Sequence, residues 1–320
     1  MKKLHLIVLA LSVAALLQGC DGSNHGAAQK KLRIAVVPNA ANDFWSIAHH
    51  GCNLSAQLLG NVDLEFCLVT NSTMAAQQEI LSNLVAGGVD GIAISPIDAE
   101  QQTDFLDQIA AKTLLVCVDS DAEKSKRACY IGTDNVAAGR QAAELVKAAL
   151  PQGGKIILFV GHVNAQNARD RIQSIQSGLA GSNIQILDTL EDGTQSAMAL
   201  KNAQDALANH PDLAGMVGIY SYDGPAILAA VRGAGKAGQV KIVCFDEDGE
   251  TMAGVAAGDI FGTVVQKPFE FGHQTILLMD KFICGDKSLP AGGKILFPTL
   301  AVTKESVEAY QFWRKEMLQQ

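Results

Sequence analysis

An α/β fold made of two similar, doubly wound parallel-sheet lobes is predicted by three observations. Short, continuously apolar and β-branched runs recur along the chain, amphipathic segments of helical length separate them, and the whole series occurs twice with a break near Ile131 to Asn135. Strands that are apolar at every position are buried on both faces, which requires helices on both sides of a parallel sheet. The length also exceeds what one core usually supports, so two lobes of ordinary size are expected.

In chain order the first series of strands is LRIAVVP at 32, DLEFCLVT at 63, DGIAIS at 90 and LLVCV at 114. The second is KIILFV at 155, AGMVGI at 214, VKIVCF at 240 and FGTVVQ at 261. Helical patterns cover Ala75 to Ala86, Asn135 to Leu150, Ala168 to Ala180 and Ser196 to Asn209. Gly87 and Gly88 end the first of these, while Pro151, Gly153 and Gly154 end the second. Cys67, Cys117 and Cys244 fall inside apolar runs and read as buried thiols, with one bridge left open among them and Cys52, Cys129 and Cys284. Gly233, Gly235 and Gly238 match the Gly-x-Gly-x-x-Gly spacing, but a helix precedes them and a strand follows. They read as helix termination and not as a dinucleotide site.

Residues 1 to 20 form a separate unit: Lys2 and Lys3, an apolar run from Leu4 to Leu17, then Gln18, Gly19 and Cys20. A positive start followed by so short an apolar core is an export signal and not a membrane span. The segment resembles the lipobox of bacterial lipoproteins, which implies cleavage after residue 19, lipid on Cys20 and a tether over 20–31. Gln18 is unusual at its lipobox position and keeps plain cleavage and release as a second reading. Asp21 resembles the inner-membrane retention signal of enteric bacteria, so the expected location is the periplasm or cell envelope, lipid-anchored.

Composition narrows the function. The formal charge is −8 and becomes more negative when Lys2 and Lys3 leave with the signal, so nucleic acid is not expected as a partner. No second apolar run has the ~20 residues of a spanning helix, and membrane contact is expected through the anchor alone. No Cys-x-x-Cys, His-Glu-x-x-His, phosphate loop or Gly-x-Ser-x-Gly elbow occurs, and neither a metal nor a cofactor is expected. Paired glycosidase carboxylates, such as Asp246 with Asp248, would need a separation and a raised proton affinity that spacing cannot supply.

Polar and aromatic residues gather just after the carboxyl ends of the strands: Asn42, Asp43, Phe44 and Trp45, then Asp119, His162 to Arg169, Tyr220 to Asp223, Asp246 to Asp248, and Gln266. Ligands of open α/β sheets bind outside those ends, so one cleft between facing lobes is expected. Singly, each residue has a plainer explanation: an Asp or Asn there caps the next helix, and Phe44 or Trp45 belongs to core. Together they suit a saccharide. Asp119, Asp223 and Asp246 accept hydroxyl protons, Arg169 offers a planar fork, Asn42 and Gln266 donate and accept, and the aromatic rings stack on C–H faces.

The stretches NDFWSIAHHG at 42, VDSD at 118, YIGTDNVAAGRQAA at 130, NARDRIQSIQSGL at 167, YSYDGPAILAAV at 220, CFDED at 244 and GTVVQKP at 262 resemble the type I periplasmic sugar-binding proteins of ABC importers, the ribose-binding-protein-like group related to lactose-repressor effector domains. The resemblance runs over about 32 to 300. It implies a three-segment hinge near Thr133 and Asp134, at Gln266 and near Gly292 to Leu296. The implied lobes are 32–133 plus 267–293 and 134–266 plus 294–302, followed by a C-terminal helical extension over 303–320. Sugar contacts would fall on Asn42, Phe44, Trp45, Asp119, Arg169, Asp223, Asp246 and Gln266, and near Thr194. Ser120 stands where the ribose-binding pattern has arginine, and Asp223 where many relatives carry Asn. The implied function is capture of a monosaccharide or polyol by lobe closure and delivery to an ABC permease by a monomer. Signalling to a chemoreceptor, sensor kinase or quorum system is the alternative, and no enzymatic activity is expected.

Overall fold

A computed structural model describes residues 31–69 and 71–318. The export signal, Cys20 and the tether up to residue 30 lie outside the described residues. Among the described residues no helix is long and apolar enough to cross a membrane.

The first part of the chain runs β1 (Leu32–Val37), α1 (Asp43–Leu59), β2 (Val62–Phe66), α2 (Met74–Ala86), β3 (Gly91–Ile94), α3 (Thr103–Ala110), β4 (Leu114–Val118) and β5 (Tyr130–Thr133). It then continues as α4 (Asn135–Ala149), β6 (Gly154–Val160), α5 (Gln166–Leu179), β7 (Ile184–Glu191), α6 (Ser196–Asn209), β8 (Leu213–Gly218), α7 (Asp223–Gly233), β9 (Lys241–Phe245), α8 (Gly249–Ala257) and β10 (Gly262–Val265). The remainder is α9 (Pro268–Ile283), β11 (Lys294–Phe297), β12 (Leu300–Thr303) and α10 (Val307–Leu318). Among the described residues two six-stranded sheets result, ordered β11-β5-β4-β3-β1-β2 and β12-β10-β9-β8-β6-β7. The two orders correspond strand for strand, which is the repeat visible in the sequence.

Each sheet is covered on both faces, which explains the unbroken apolar runs. In β1, Ile34 and Val36 join Trp45 and Phe271 on one side, while Ala35 and Val37 join Leu81 and Leu106 on the other. The helices start where short polar side chains satisfy free N–H groups: Asn42, Thr73, Asp134 and Asp248 cap α1, α2, α4 and α8. Helices α1 and α9 approach closely enough that a Cβ on Gly51 would strike the Phe269 carbonyl, and one on Gly272 the Ala48 carbonyl. Glycine is needed at both positions for this contact.

The chain crosses between sheets after Thr133, after Gln266 and between Phe297 and Leu300. The third crossing differs from expectation. Residues 294–297 pair in parallel with β5 and so belong to the first sheet, not to the second lobe. From β11 the chain passes directly into the second sheet at its carboxyl-end edge and must run away from the crossing, so β12 is antiparallel to β10. All other pairings among the described residues are parallel.

Cys52, Cys117, Cys129 and Cys244 are buried thiols, whereas Cys67 lies just past β2 and is only half-buried. Helix α7 ends at Gly233, and Gly235 and Gly238 take left-handed backbone in the turns that follow, in keeping with helix termination.

Candidate functional site

A crevice of about 290 Å³ opens between the carboxyl ends of the two sheets, lined from the first lobe by Asn39, Asn42, Phe44, Trp45 and Asp119. The second lobe supplies Asn167, Arg171, Tyr220, Ser221, Asp246 and Gln266. Among the described residues no group of three or more His, Cys, Asp or Glu side chains could hold a metal ion.

The two aspartates occupy corresponding places, Asp119 after β4 and Asp246 after β9. Both have left-handed backbone, with φ of 65° and 69°. Outside glycine that conformation is tolerated best by Asn and Asp, and here neighbours impose it. The Asp119 amide donates to the Ile131 carbonyl and its carbonyl accepts from the Tyr130 hydroxyl at 2.8 Å. In the second lobe the Asp246 amide donates to Val264 and its carbonyl accepts from the Thr263 hydroxyl at 2.6 Å. Ser95 Oγ donates to Asp119 Oδ2 at 2.9 Å, and Gln266 Nε2 to Asp246 Oδ1 at 2.7 Å.

Arg171 is the cation of the site. It is 2 % exposed, with Nε donating to Asn135 Oδ1 at 2.9 Å and Nη1 to the Ile219 carbonyl at 3.0 Å. Its guanidinium carbon lies 4.5 Å from the centre of the Phe245 ring, a cation–π contact. Among the described residues Nη2 has no hydrogen-bond partner, nor does the buried Tyr220 hydroxyl. Unpaired buried polar atoms lining a crevice are what a hydroxylated ligand would complete.

Burial pushes the Asp119 carboxyl above its ordinary value, against the pull of Arg171, Ser95 and Asn167. Burial likewise pushes Asp246 up to about 6, with Arg171 and Gln266 opposing and Asp119 adding to the rise. One guanidinium thus serves two carboxylates, and the site repels a further anion.

Direct bonds span the crevice. Asn167 Nδ2 donates to Asp119 Oδ2 at 3.2 Å, and beside the hinge Thr133 Oγ1 donates to Gln266 Oε1 at 2.7 Å. The aromatic wall is also fixed: Trp45 Nε1 donates to Asn39 Oδ1 at 3.0 Å, and Phe44 meets Trp45 edge-on at 5.4 Å.

Of the residues singled out in the sequence, Asn42, Phe44, Trp45, Asp119, Asp246 and Gln266 line the crevice, and Asn42 also caps α1 by accepting from the Trp45 amide. Arg169 does not line it. Its guanidinium donates to Gln166 Oε1 at 2.8 Å, and its charge acts on Glu100 of the first lobe. The cause is helical register: Asn167 and Arg171 are four apart on α5 and share a face, whereas Arg169 points away. Asp223 is also elsewhere, fully buried at the start of α7, where its Oδ2 accepts from the Ile219 and Tyr220 amides at 3.1 and 2.8 Å. Burial, and then the neighbouring Asp192 charge, hold its carboxyl well above the usual range. Thr194 is half-buried in the turn after β7 with φ of 60°, and its amide bonds to Asp192. Asn39, Asn167, Arg171 and Ser221 also line the crevice; Asn167 and Ser221 fall inside the strand-end stretches the sequence picks out, Asn39 and Arg171 do not, and the i, i+4 spacing of Asn167 and Arg171 is a signal that finds the arginine.

Residues 34–287 match the family model described as a periplasmic binding protein domain. The chain is 25% identical over 289 residues to the ribose import binding protein of Salmonella typhimurium, covering 90% of this chain and 94% of that protein. It is 26% identical over 255 residues to the D-allose-binding periplasmic protein of Escherichia coli, covering 76% and 82%. Among solved structures, the solute-binding protein of an ABC transporter from Burkholderia graminis, in complex with D-arabinose, superposes with a TM-score of 0.82 at 28% identity, over 88% of this chain and 98% of that one. A solute-binding protein from Agrobacterium vitis bound with alpha-D-tagatopyranose gives 0.81 at 26% identity, over 87% and 96%.

Proposed function

The chain belongs to the periplasmic binding protein family, and from that premise we propose that it is an exported solute receptor that captures a neutral monosaccharide or related polyol and delivers it to an ABC importer. The observation that carries the reading is Arg171 set beside two left-handed aspartates, with its Nη2 and the Tyr220 hydroxyl unpaired at the crevice. A ring hydroxyl can donate to a carboxylate while a neighbouring one accepts from the guanidinium, and Phe44 and Trp45 offer faces to the C–H side of the ring. An acid or phosphate would add negative charge to a site that already has more carboxylates than cations.

Capture works through closure. Asn39, Asn42 and Asp119 belong to one lobe and Arg171, Ser221 and Asp246 to the other, so a ligand touching both sets favours the closed form by its differential contacts. The three crossings absorb the rotation. Binding alone is the proposed role, with the sugar released unchanged. The leader supports lipid attachment at Cys20 and retention at the inner membrane through Asp21, beside the permease.

The test is a thermal-shift and calorimetric screen of the mature protein over D-ribose, D-arabinose, D-allose, D-tagatose and xylitol, with product analysis after prolonged incubation. At least one is expected to bind and return intact. Failure of every neutral sugar and polyol, or accumulation of a cleaved product, refutes the reading.

A further inference from the structure

The C-terminal helix α10 lies beyond the residues that match the family model. A single stripe of it faces inward. Val307 and Tyr310 are buried in the second lobe's core, while Phe312 and Trp313 are exposed at 70% and 47%. Tyr310 is not only packing: its hydroxyl donates to Glu247 Oε2, and one position further along the stripe Arg314 Nε lies 3.3 Å from Glu247 Oε1. Glu247 is 5% exposed and immediately follows the crevice residue Asp246.

We propose that α10 is a positioning element of the ligand site, in which Tyr310 and Arg314 hold Glu247 and thereby fix the turn that presents Asp246 to the ligand. The inference rests on the sugar-receptor reading for its consequence, but not for its structural content. Strand β10 secures one side of the turn through Thr263 and Gln266. On the other side stands a buried carboxylate facing two further negative groups, Asp246 and Glu270, with Arg314 as the cation acting on it. Burial pushes Glu247 up to about 7, and Arg314 acts against that rise. Without α10 the carboxyl loses both the hydroxyl bonded to it and the cation that opposes its burial, and on ionising it would leave for water, because a charge in such a place needs a partner. Swinging out, it would carry the peptide joining it to Asp246 and disturb a backbone already held in a sparsely populated conformation.

The experiment uses the full mature chain with Tyr310→Phe, Arg314→Gln, Glu247→Gln and the double variant Glu247→Gln/Arg314→Gln. Tyr310→Phe keeps the ring in the core and deletes the bond alone, so a helix that only packs would not respond to it. Amide exchange of the unliganded protein over 245–248 is expected to rise about tenfold in Tyr310→Phe and Arg314→Gln, while β1 is unchanged. The dissociation constant for the tightest binder among D-ribose, D-arabinose, D-allose and xylitol is expected to rise about fivefold. Once Glu247 is neutral, removing Arg314 adds little, so the double variant matches Glu247→Gln alone. Unchanged exchange over 245–248, or additive effects in the double variant, overturns the proposal. If no sugar binds the parent protein yet exchange responds as described, the sugar reading fails and the role of α10 in holding the Asp246 turn stands.

Discussion

Exchanging Arg171 for lysine separates the assigned arginine from its neighbour in sequence. Lysine keeps a positive charge near Asp119 and Asp246 but loses the fork that reaches Asn135 and Ile219 and leaves Nη2 at the crevice. A hydrogen bond to a charged group is worth ~1.5–3 kcal/mol, so a ligand deprived of it binds ~10- to 150-fold more weakly. A repositioned ammonium recovers part of that, and a loss of at least ~10-fold is expected for Arg171→Lys. Arg169→Ala removes a half-buried side chain bonded to Gln166 on its own helix, so its affinity should stay within ~3-fold of the parent. Calorimetric titration of both variants with D-ribose, D-arabinose, D-allose and xylitol reads the difference directly. If Arg169→Ala loses more affinity than Arg171→Lys, the arginine has been wrongly assigned and the argument from helical register fails with it.

Tyr220→Phe deletes a hydroxyl without a hydrogen-bond partner among the described residues, so thermal stability should hold while sugar affinity falls ~5- to 10-fold; unchanged affinity would place that hydroxyl outside the ligand's reach. Asp246 holds its proton more tightly in the folded chain than in the unfolded one, so the stability it contributes is complete below about pH 4 and is lost as pH rises through about 6. Asp246→Asn should therefore gain on the parent by up to ~3 kcal/mol between pH 4 and 8 in urea unfolding without ligand, whereas parallel pH profiles would contradict the burial argument. Gly272→Ala drives a methyl group into the Ala48 carbonyl and should lower stability by ~1–3 kcal/mol or more; a neutral result would mean that α1 and α9 are not held in close contact.

The sequence made the class of fold legible because strands covered on both faces are apolar throughout, as β3 and β4 are, and as β1 is from Ile34 onward. Edge strand β7 is hidden from that pattern, since its half-exposed residues carry no such run. The break in the pattern near Ile131 coincides with the short β5, and the chain crosses between sheets just beyond it. Asp119 and Asp246 could be located because each directly follows a buried central strand. Asp223 follows its strand at a greater distance and turns back to accept from backbone amides, a distinction carried by local hydrogen bonds and not by residue type. Residues on α5 required a register that spacing from the strand end does not fix.

The matched backbone of Asp119 and Asp246 also limits how this crevice can diversify. Glutamate would preserve the charge but tolerates the left-handed turn poorly, whereas asparagine keeps the turn and exchanges an acceptor for a group that also donates. Divergence toward new ligands is thus channelled at both places into acid-to-amide exchange. Each such step adds a donor to the hydroxyl pattern that is recognised, without requiring the scaffold to be rebuilt.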